Sequence, residues 1–182
     1  MNYMAINNLK NIGLLGGSFD PPHKGHLHIT KKSLKLLGLR KVIWAITKKN
    51  PLKKKPFFSL NVRKRMCKKL IKNNKKIELR FYEDKIKSRN SIALIKYLKK
   101  HNKFNIYFIM GSDNIISLHK WKNYRDIIKM TNIIVFSRKG FDTKAKKSVI
   151  IKRLKTKNIT FIKNLQFNMS STELKKNIIN GS

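Results

Sequence analysis

Two patterns of apolar positions alternate along this chain. Short β-rich apolar runs, typical of buried strands, are each followed by an amphipathic stretch of helical period. The apolar runs predict strands at residues 11–15, 41–47, 77–82, 105–110, 132–137 and 160–163. The amphipathic stretches predict helices at residues 25–37, 60–73, 91–101, 113–118, 122–130, 147–155 and 172–179. This alternation predicts an α/β fold, with a parallel sheet covered by helices on both faces.

The predicted topology also indicates where a ligand would bind. Right-handed crossovers make such a sheet doubly wound, and ligands of doubly wound sheets bind beyond the carboxyl ends of the strands. The basic stretch at residues 48–56 is the clearest loop, and it follows the second predicted strand at that edge. No repeat, low-complexity linker or change of composition marks a second domain. We therefore expect one domain over residues 1–182.

Composition narrows the class of protein and its compartment. The chain has 182 residues, 41% of them hydrophobic, which suits one ordinary globular domain. Its single cysteine, Cys67, excludes an intramolecular disulfide and a cysteine-rich zinc site, and this fits a reducing compartment. No apolar run is long enough to span a membrane, and residues 1–11 lack the hydrophobic core of a signal peptide. We therefore expect a cytoplasmic protein without a membrane partner.

The formal net charge of +36 raises the alternative of a nucleic-acid-binding protein. The basic residues, however, are mostly lysine and are spread along the whole chain, whereas base readout favours arginine. Aromatic residues lie mostly inside the predicted strands, where core packing explains them. Lysine, asparagine and isoleucine are abundant and alanine is scarce, as A/T-rich codons would produce. The charge therefore predicts attraction of anionic nucleotides and no specific nucleic-acid partner.

Most of the candidate chemistry lies in residues 12–26, between the first predicted strand and the first predicted helix. Gly16 and Gly17 end the strand, where the missing side chains allow another molecule to approach the backbone. His23 and His26 lie three positions apart at the start of the helix and are able to point the same way. Free backbone N–H groups, the helix dipole and two imidazoles predict an anion site suited to phosphate.

Other known phosphate and metal sites fit these residues less well. The junction has neither the G-x-x-x-x-G-K-[ST] loop nor the G-x-G-x-x-G turn. A metal site built from Asp20, His23, His26 and His28 is the other alternative. His28 lies two positions beyond His26 and should face elsewhere on a helix, and no cysteine or second carboxylate is near. We therefore predict no metal-ligating residue in this segment.

The segment Ser18-Phe19-Asp20-Pro21-Pro22-His23-Lys24-Gly25-His26 resembles the [ST]-F-D-P-x-H-x-G-H signature of the nucleotidyltransferase superfamily of adenylyl and cytidylyl transferases. The resemblance implies a Rossmann-like nucleotidyltransferase fold. It also implies that the two histidines are catalytic. The ATP contacts that it implies in this segment are Gly16, Gly17, Ser18, Phe19, His23 and His26.

A second candidate phosphate site lies at Met169-Ser-Ser-Thr-Glu-Leu-Lys175. Hydroxyl groups at a helix start cap free N–H groups, so simple capping is one interpretation, and binding of phosphate by the same donors is the other. The segment resembles the I-S-[SA]-T-x-[IL]-R motif of nicotinate-nucleotide adenylyltransferases and the similar motif of pantetheine-phosphate adenylyltransferases. The resemblance implies that ATP phosphates are bound by Ser170, Ser171, Thr172 and Lys175. Lysine stands where arginine is usual, so the contact lacks a bidentate fork.

The stretch Phe108-Ile-Met-Gly-Ser-Asp-Asn114, followed by His119-Lys-Trp121, resembles the F-[IL]-[IM]-G-[AS]-D-[NS] … W stretch of bacterial nicotinate-nucleotide adenylyltransferases. The resemblance implies that Gly111 and Asp113 lie in the nucleotide site and that Trp121 stacks on a pyridine ring. From the residues alone, Asp113 is also explained as a carboxylate at a helix start, and Trp121 as a core anchor.

The remaining substrate contacts come from the same family resemblance. The stretch Asn50-Pro51-Leu52-Lys53 looks like a family loop and implies a contact from Lys53. The family's S-Y-T stands here as Arg89-Asn90-Ser91, so Ser91 supplies the hydroxyl and the tyrosine is missing. Arg138 matches the arginine of an Arg-Pro-Gly stretch that has lost its proline, and Lys122 replaces an aromatic residue beside the tryptophan.

The activity implied by this resemblance is transfer of AMP from ATP to nicotinate mononucleotide, which yields nicotinate adenine dinucleotide and pyrophosphate in NAD biosynthesis. Mg²⁺ would accompany ATP, bound by phosphates rather than by a protein cage. Pantetheine-phosphate adenylyltransferase, which has threonine in place of His23, or another nucleotidyltransferase of this superfamily is the alternative. The sequence leaves the choice between nicotinate and nicotinamide mononucleotide open.

Overall fold

The computed structural model describes residues 10–50, 52, 55–153 and 158–163. Within them lies one sheet of six parallel strands in the order β3-β2-β1-β4-β5-β6. The strands are β1 (Lys10–Gly17), β2 (Lys41–Ile46), β3 (Ile77–Arg80), β4 (Phe104–Gly111), β5 (Asn132–Phe136) and β6 (Ile159–Ile162). The predicted doubly wound α/β fold is confirmed, and each predicted strand lies within two residues of an observed one.

Eight α-helices are described alongside the sheet. They are α1 (Lys24–Leu36), α2 (Leu60–Ile71), α3 (Glu83–Ile86), α4 (Ser91–Asn102), α5 (Ser112–Ser117), α6 (Tyr124–Met130), α7 (Asp142–Lys146) and α8 (Val149–Arg153). A 3₁₀ turn at Leu118–Lys120 joins α5 to the segment before α6. Among these residues there is no helix of the length and apolarity that crossing a membrane requires.

The structure differs from the predicted elements at three places. The third strand ends at Arg80 rather than at residue 82, because Glu83 begins the short helix α3 and its carboxylate bonds to the loop after β2. Helix α7 was not predicted, and Asp142 in its first turn accepts the backbone N–H of Arg138. The helix predicted at residues 147–155 begins at Val149 and is described to Arg153. The helix predicted at residues 172–179 lies outside the described residues.

Side chains of alternate residues point to opposite faces of the sheet and fill two cores. In β2, Ile43 and Ala45 pack in one core, whereas Val42, Trp44 and Ile46 pack in the other. The first core includes residues of α4, α5 and α6, and the second includes residues of α1 and α2. Helices therefore cover both faces, as the doubly wound topology requires.

The sheet reverses its strand order at β1, which lies between β2 and β4. Gly17 at the end of β1 is in register with Ile46 at the end of β2. Gly111 at the end of β4 is in register with Phe136 at the end of β5. Carboxyl ends of neighbouring strands therefore lie along one edge, and the crevice beside β1 is where ligands of such sheets bind.

Candidate active site

A cavity of about 990 Å³ opens at this edge of the sheet. Its walls come from the end of β1, the start of α1, the loop after β2, the start of α4 and the ends of β4 and β5. Eleven predicted site residues line it: Gly16, Gly17, Ser18, Phe19, His23, His26, Ser91, Gly111, Asp113, Trp121 and Arg138. Lys53, Ser170, Ser171, Thr172 and Lys175 lie outside the described residues. One cavity thus joins most of the motifs that are far apart in the sequence.

The two glycines at the end of β1 leave their backbone open to the cavity. A Cβ atom placed on Gly16 would come no nearer than 4.0 Å to another side chain, the ring of Phe108. A Cβ on Gly17 would meet the ring of Phe19 at 3.5 Å, an ordinary contact. The described side chains therefore leave this space open, so that a ligand is able to approach the backbone closely.

Phe19 supports the histidines from inside the molecule. Its backbone has a positive φ of 48°, and its side chain is only 2% exposed. The ring stacks on Trp44 with centroids 4.9 Å apart and lies 5.0 Å from the ring of His26. The indole N–H of Trp44 in turn donates to the hydroxyl of Thr30, which donates to the backbone carbonyl of His26. This packing fixes the first turn of α1.

The two histidine rings lie side by side, with their centroids 3.9 Å apart. The backbone N–H of His23 donates to Nδ1 of His26 over 3.2 Å. Because Nδ1 accepts a hydrogen bond, neutral His26 carries its proton on Nε2. His26 is therefore arranged to donate from Nε2, as binding of a phosphate oxygen would require.

Asp113 and Arg138 form an ion pair across the ends of β4 and β5. Nη1 of Arg138 lies 2.9 Å from Oδ2 of Asp113. A Cβ on Gly111 would come within 2.5 Å of Oδ1 of Asp113, so a side chain at residue 111 would displace this carboxylate. That Oδ1 is buried and has no hydrogen-bond partner among the described residues. Asp113 thus lies in the first turn of α5 and also carries a paired charge into the cavity.

Trp121 lines the cavity and also packs against one of the two cores. Its ring meets Phe108 edge to face, with centroids 6.1 Å apart. Its indole N–H is buried and has no hydrogen-bond partner among the described residues. Ser91, the first residue of α4, lines the same cavity, as do Arg89 and Lys122. Trp121 thus packs against the core and also lines the cavity, and its contact with a pyridine ring stays a prediction.

Sequence reasoning missed Arg63 of α2, a residue that is 2% exposed. Its guanidinium donates to backbone carbonyls of the loops beside the cavity. Burial lowers the pKa of Arg63, and the charge of Asp20 partly opposes this shift. One signal was present in the sequence, since Arg63 occupies the helical position one turn before the apolar Cys67.

Carboxylates at the cavity are already engaged with the protein. Both oxygens of Asp20 accept backbone N–H groups, from Phe57 and Phe58. Glu83 accepts from Thr47 and from the backbone of Lys48. No group of three or more histidine, cysteine, aspartate or glutamate side chains with metal-binding geometry occurs in the part of the chain that is described. Among the described residues, these carboxylates do not form a protein cage for a metal.

Comparison with known proteins gives the same family throughout. The family model described as "Cytidylyltransferase-like" matches residues 14–177. A Pelagibacter ubique (strain HTCC1062) protein named "Probable nicotinate-nucleotide adenylyltransferase" is 47% identical over 165 residues, which cover 91% of this chain and 92% of that protein. A Clostridium tetani (strain Massachusetts / E88) protein of the same name is 35% identical over 95% of this chain and 89% of its own length.

A solved structure, titled Plasmodium falciparum nicotinic acid mononucleotide adenylyltransferase complexed with NaAD, superposes with a TM-score of 0.75. The two are 26% identical, and the match covers 92% of this chain and 83% of the other. A second structure of the Plasmodium protein, complexed with APC, has a TM-score of 0.74 at 24% identity, which supports the shared fold. Sequence, fold and the residues around the cavity agree, and the chain belongs to the nicotinate-nucleotide adenylyltransferase family of nucleotidyltransferases.

Proposed function

We propose that this chain, with residues 1–182 acting as one catalytic domain, transfers AMP from ATP to nicotinate mononucleotide in NAD biosynthesis. The single observation that carries the proposal is the cavity that joins the glycine–histidine turn after β1 to Trp121. The first part suits a triphosphate and the second suits a flat aromatic ring. The names of the relatives and the NaAD in the Plasmodium structure's title support the same reaction.

The reaction needs no general base to activate its nucleophile. A phosphate oxygen of the mononucleotide is already negatively charged and attacks the α-phosphorus of ATP. The bond from that phosphorus to the bridging oxygen breaks, and the electron pair leaves with pyrophosphate. Catalysis therefore depends on alignment of the reactants and on neutralising charge on the transferring group and on the departing group.

His23 and His26 are the residues that we propose to be catalytic. Their rings line the cavity beside the open backbone of Gly16 and Gly17. A proton on Nε2 of His26 would be donated to a phosphate oxygen, where negative charge grows in the transition state. The backbone at Ser18 and Phe19 completes this part of the ATP site.

Other predicted residues are proposed to bind ATP and the mononucleotide. Gly111 and Asp113 would contact ATP, and Arg138, which is paired with Asp113, is proposed as a contact of the mononucleotide. Ser91 and Trp121 would bind the pyridine nucleotide. Five further predicted contacts lie outside the described residues and are proposed from the family motifs alone: Lys53, Ser170, Ser171, Thr172 and Lys175.

Mg²⁺ is proposed to enter with ATP. The cavity carboxylates Asp20, Glu83 and Asp113 already accept hydrogen bonds or pair with arginine, so phosphate oxygens are better placed to hold the ion. When bound, the ion would neutralise charge on the phosphates. Every protein contact in the proposed mechanism is independent of it.

The test is release of pyrophosphate from ATP and Mg²⁺ with three acceptors supplied separately. Nicotinate mononucleotide, nicotinamide mononucleotide and phosphopantetheine are compared at equal concentrations. We expect strong release with nicotinate mononucleotide. Release only with phosphopantetheine would keep adenylyl transfer and replace the substrate. No release with any acceptor would contradict the proposed function.

A further inference from the structure

Arg63 uses its whole guanidinium to bind backbone carbonyl groups. Nε donates to the carbonyl of Phe58 over 3.0 Å, and Nη2 donates to that of Lys48 over 3.0 Å. Nη1 donates to the carbonyl of Thr47 over 2.8 Å and also to that of Ser18. Arginine alone among the side chains offers donors in a rigid fork that reaches several acceptors at once.

These carbonyls belong to two loops that border the cavity. Ser18 belongs to the turn after β1, which carries the histidines, and the other three belong to the segment between β2 and α2. Asp20 in the same turn reinforces the connection. Its Oδ2 accepts the backbone N–H of Phe57 over 2.8 Å, and its Oδ1 accepts that of Phe58 over 2.9 Å. The turn is therefore bonded directly to the end of the loop through Asp20, and Arg63 of α2 forms a second bridge between them.

The beginning of the same loop is held from two sides. Arg63 donates to the carbonyls of Thr47 and Lys48, as described. Oε1 of Glu83, in α3, accepts the hydroxyl of Thr47 and the backbone N–H of Lys48, the latter over 3.1 Å. Both ends of the loop are thus bonded to groups outside it, and Arg63 reaches both ends.

We propose that Arg63 is a positioning residue for adenylyl transfer. Without lining the cavity itself, it holds both ends of the β2–α2 loop against the turn that carries His23 and His26. Asn50, Leu52 and Lys55 of that loop line the cavity, so their placement depends on these bonds. Burying a guanidinium is unfavourable unless its donors are satisfied, and an apolar side chain would pack the same space more simply. The four carbonyl acceptors explain why residue 63 is an arginine, since its guanidinium donates to all of them.

The experiment compares Arg63→Met, Arg63→Lys and the matched control Arg65→Met. Arg65 lies in the same helix and is exposed. Four quantities are measured in each full-length variant: kcat and KM for both substrates, binding of a non-hydrolysable ATP analogue, hydrogen exchange over residues 47–50 and 55–59 against β4, and the thermal midpoint. The kinetic part rests on the proposed function, whereas hydrogen exchange and binding of a non-hydrolysable ATP analogue do not.

For Arg63→Met we expect kcat/KM for ATP to fall about a hundredfold, as a misplacement of about 1 Å can produce. Exchange should rise over residues 47–50 and 55–59 while that of β4 stays unchanged. Arg63→Lys should recover part of the loss, because an ammonium group reaches fewer of the carbonyls. Arg65→Met should match the wild type in all four measurements.

Two results would overturn the inference. One is a folded Arg63→Met protein with wild-type kcat/KM and wild-type binding of the ATP analogue. The other is exchange that rises equally in the loop and in β4, since this would mean that Arg63 only stabilises the fold. If Arg63→Met does not fold, Arg63→Lys decides the question by the same criteria. If the wild type transfers no AMP to nicotinate mononucleotide, the proposed function fails, and analogue binding with hydrogen exchange still tests Arg63.

Discussion

The backbone N–H of His23 and Nδ1 of His26 are joined by a hydrogen bond of 3.2 Å at the first turn of α1. The spacing of three residues matters because the backbone N–H of His23 determines which tautomer neutral His26 adopts. In that tautomer Nε2 of His26 carries the proton that we propose it donates to a phosphate oxygen. This relationship leads directly to a test of the catalytic assignment.

Replacing His26 by alanine should lower kcat by about a hundredfold to a thousandfold, the usual effect of removing one donor to a charged transition state. The thermal midpoint should change little, since His26 is half-buried at the cavity surface. Steady-state release of pyrophosphate measures the effect. The control is His28→Ala in the same helix, which does not line the cavity. Wild-type turnover in a folded His26→Ala protein would refute the assignment.

Trp121→Phe should abolish the fluorescence change that accompanies binding of nicotinate mononucleotide. The sequence has two tryptophans, and the other, Trp44, is fully buried with its N–H bonded to Thr30. A stacked pyridine ring should therefore quench only Trp121. Trp121→Leu should raise KM for the mononucleotide about tenfold, since it also removes the aromatic face. Quenching that persists in Trp121→Phe would place the pyridine elsewhere.

The Asp113–Arg138 pair should show measurable coupling in a double-mutant cycle. Its side chains are 17% and 31% exposed, so the pair is only partly screened by solvent. We expect a coupling free energy of about 1 kcal/mol in unfolding experiments on Asp113→Asn, Arg138→Met and the double variant. The matched control is the exposed pair Lys96–Asp126, at 4.0 Å, where coupling should be near zero. Equal coupling in the two pairs would contradict this expectation.

The buried thiol of Cys67 should make the free energy of unfolding depend on pH. Burial raises the pKa of its thiol to about 12, whereas the pKa of an unfolded cysteine thiol is about 8.5. Its protonated form therefore contributes stability that is complete below about pH 8.5 and decreases as the pH rises towards 12. The free energy of unfolding of the wild type should fall relative to Cys67→Ala by about 1.4 kcal/mol per pH unit in that range. Parallel pH profiles for the two proteins would show that the thiol ionises equally in both states.

Much of the fold was predictable because strand and helix patterns are local. The six apolar runs became the six described strands, and the helix at Ser91–Asn102 was predicted to within one residue. Helices α3 and α7 were missed, since each is four or five residues long and carries no repeating apolar stripe. Glu83 of α3 and Asp142 of α7 bond to chain segments outside their own helices. Such short elements depend on partners that a local pattern does not contain.

The candidate site was likewise predictable from the sequence only in part. Motifs after β1 and β4 were recognisable because close spacing fixes the residues of each one relative to its neighbours. Arg63 was not recognisable, because its four carbonyl partners carry no side-chain signature and lie up to 45 positions away. The pairing of Asp113 with Arg138 likewise joins two segments 25 positions apart. A backbone acceptor is invisible in a sequence until the chain is folded.

The sequence by itself determined the alternating parallel sheet, the glycine–histidine turn and the family, since these depend on periodicity and on residues close together in the chain. Tertiary structure decided how separate segments meet: which strand ends share a cavity, which carboxylates are already paired, and how Arg63 connects the two loops. The physical reason is that hydrogen bonds and ion pairs act over about 3 Å in space, whatever the distance along the chain. Only folding brings those partners within that range.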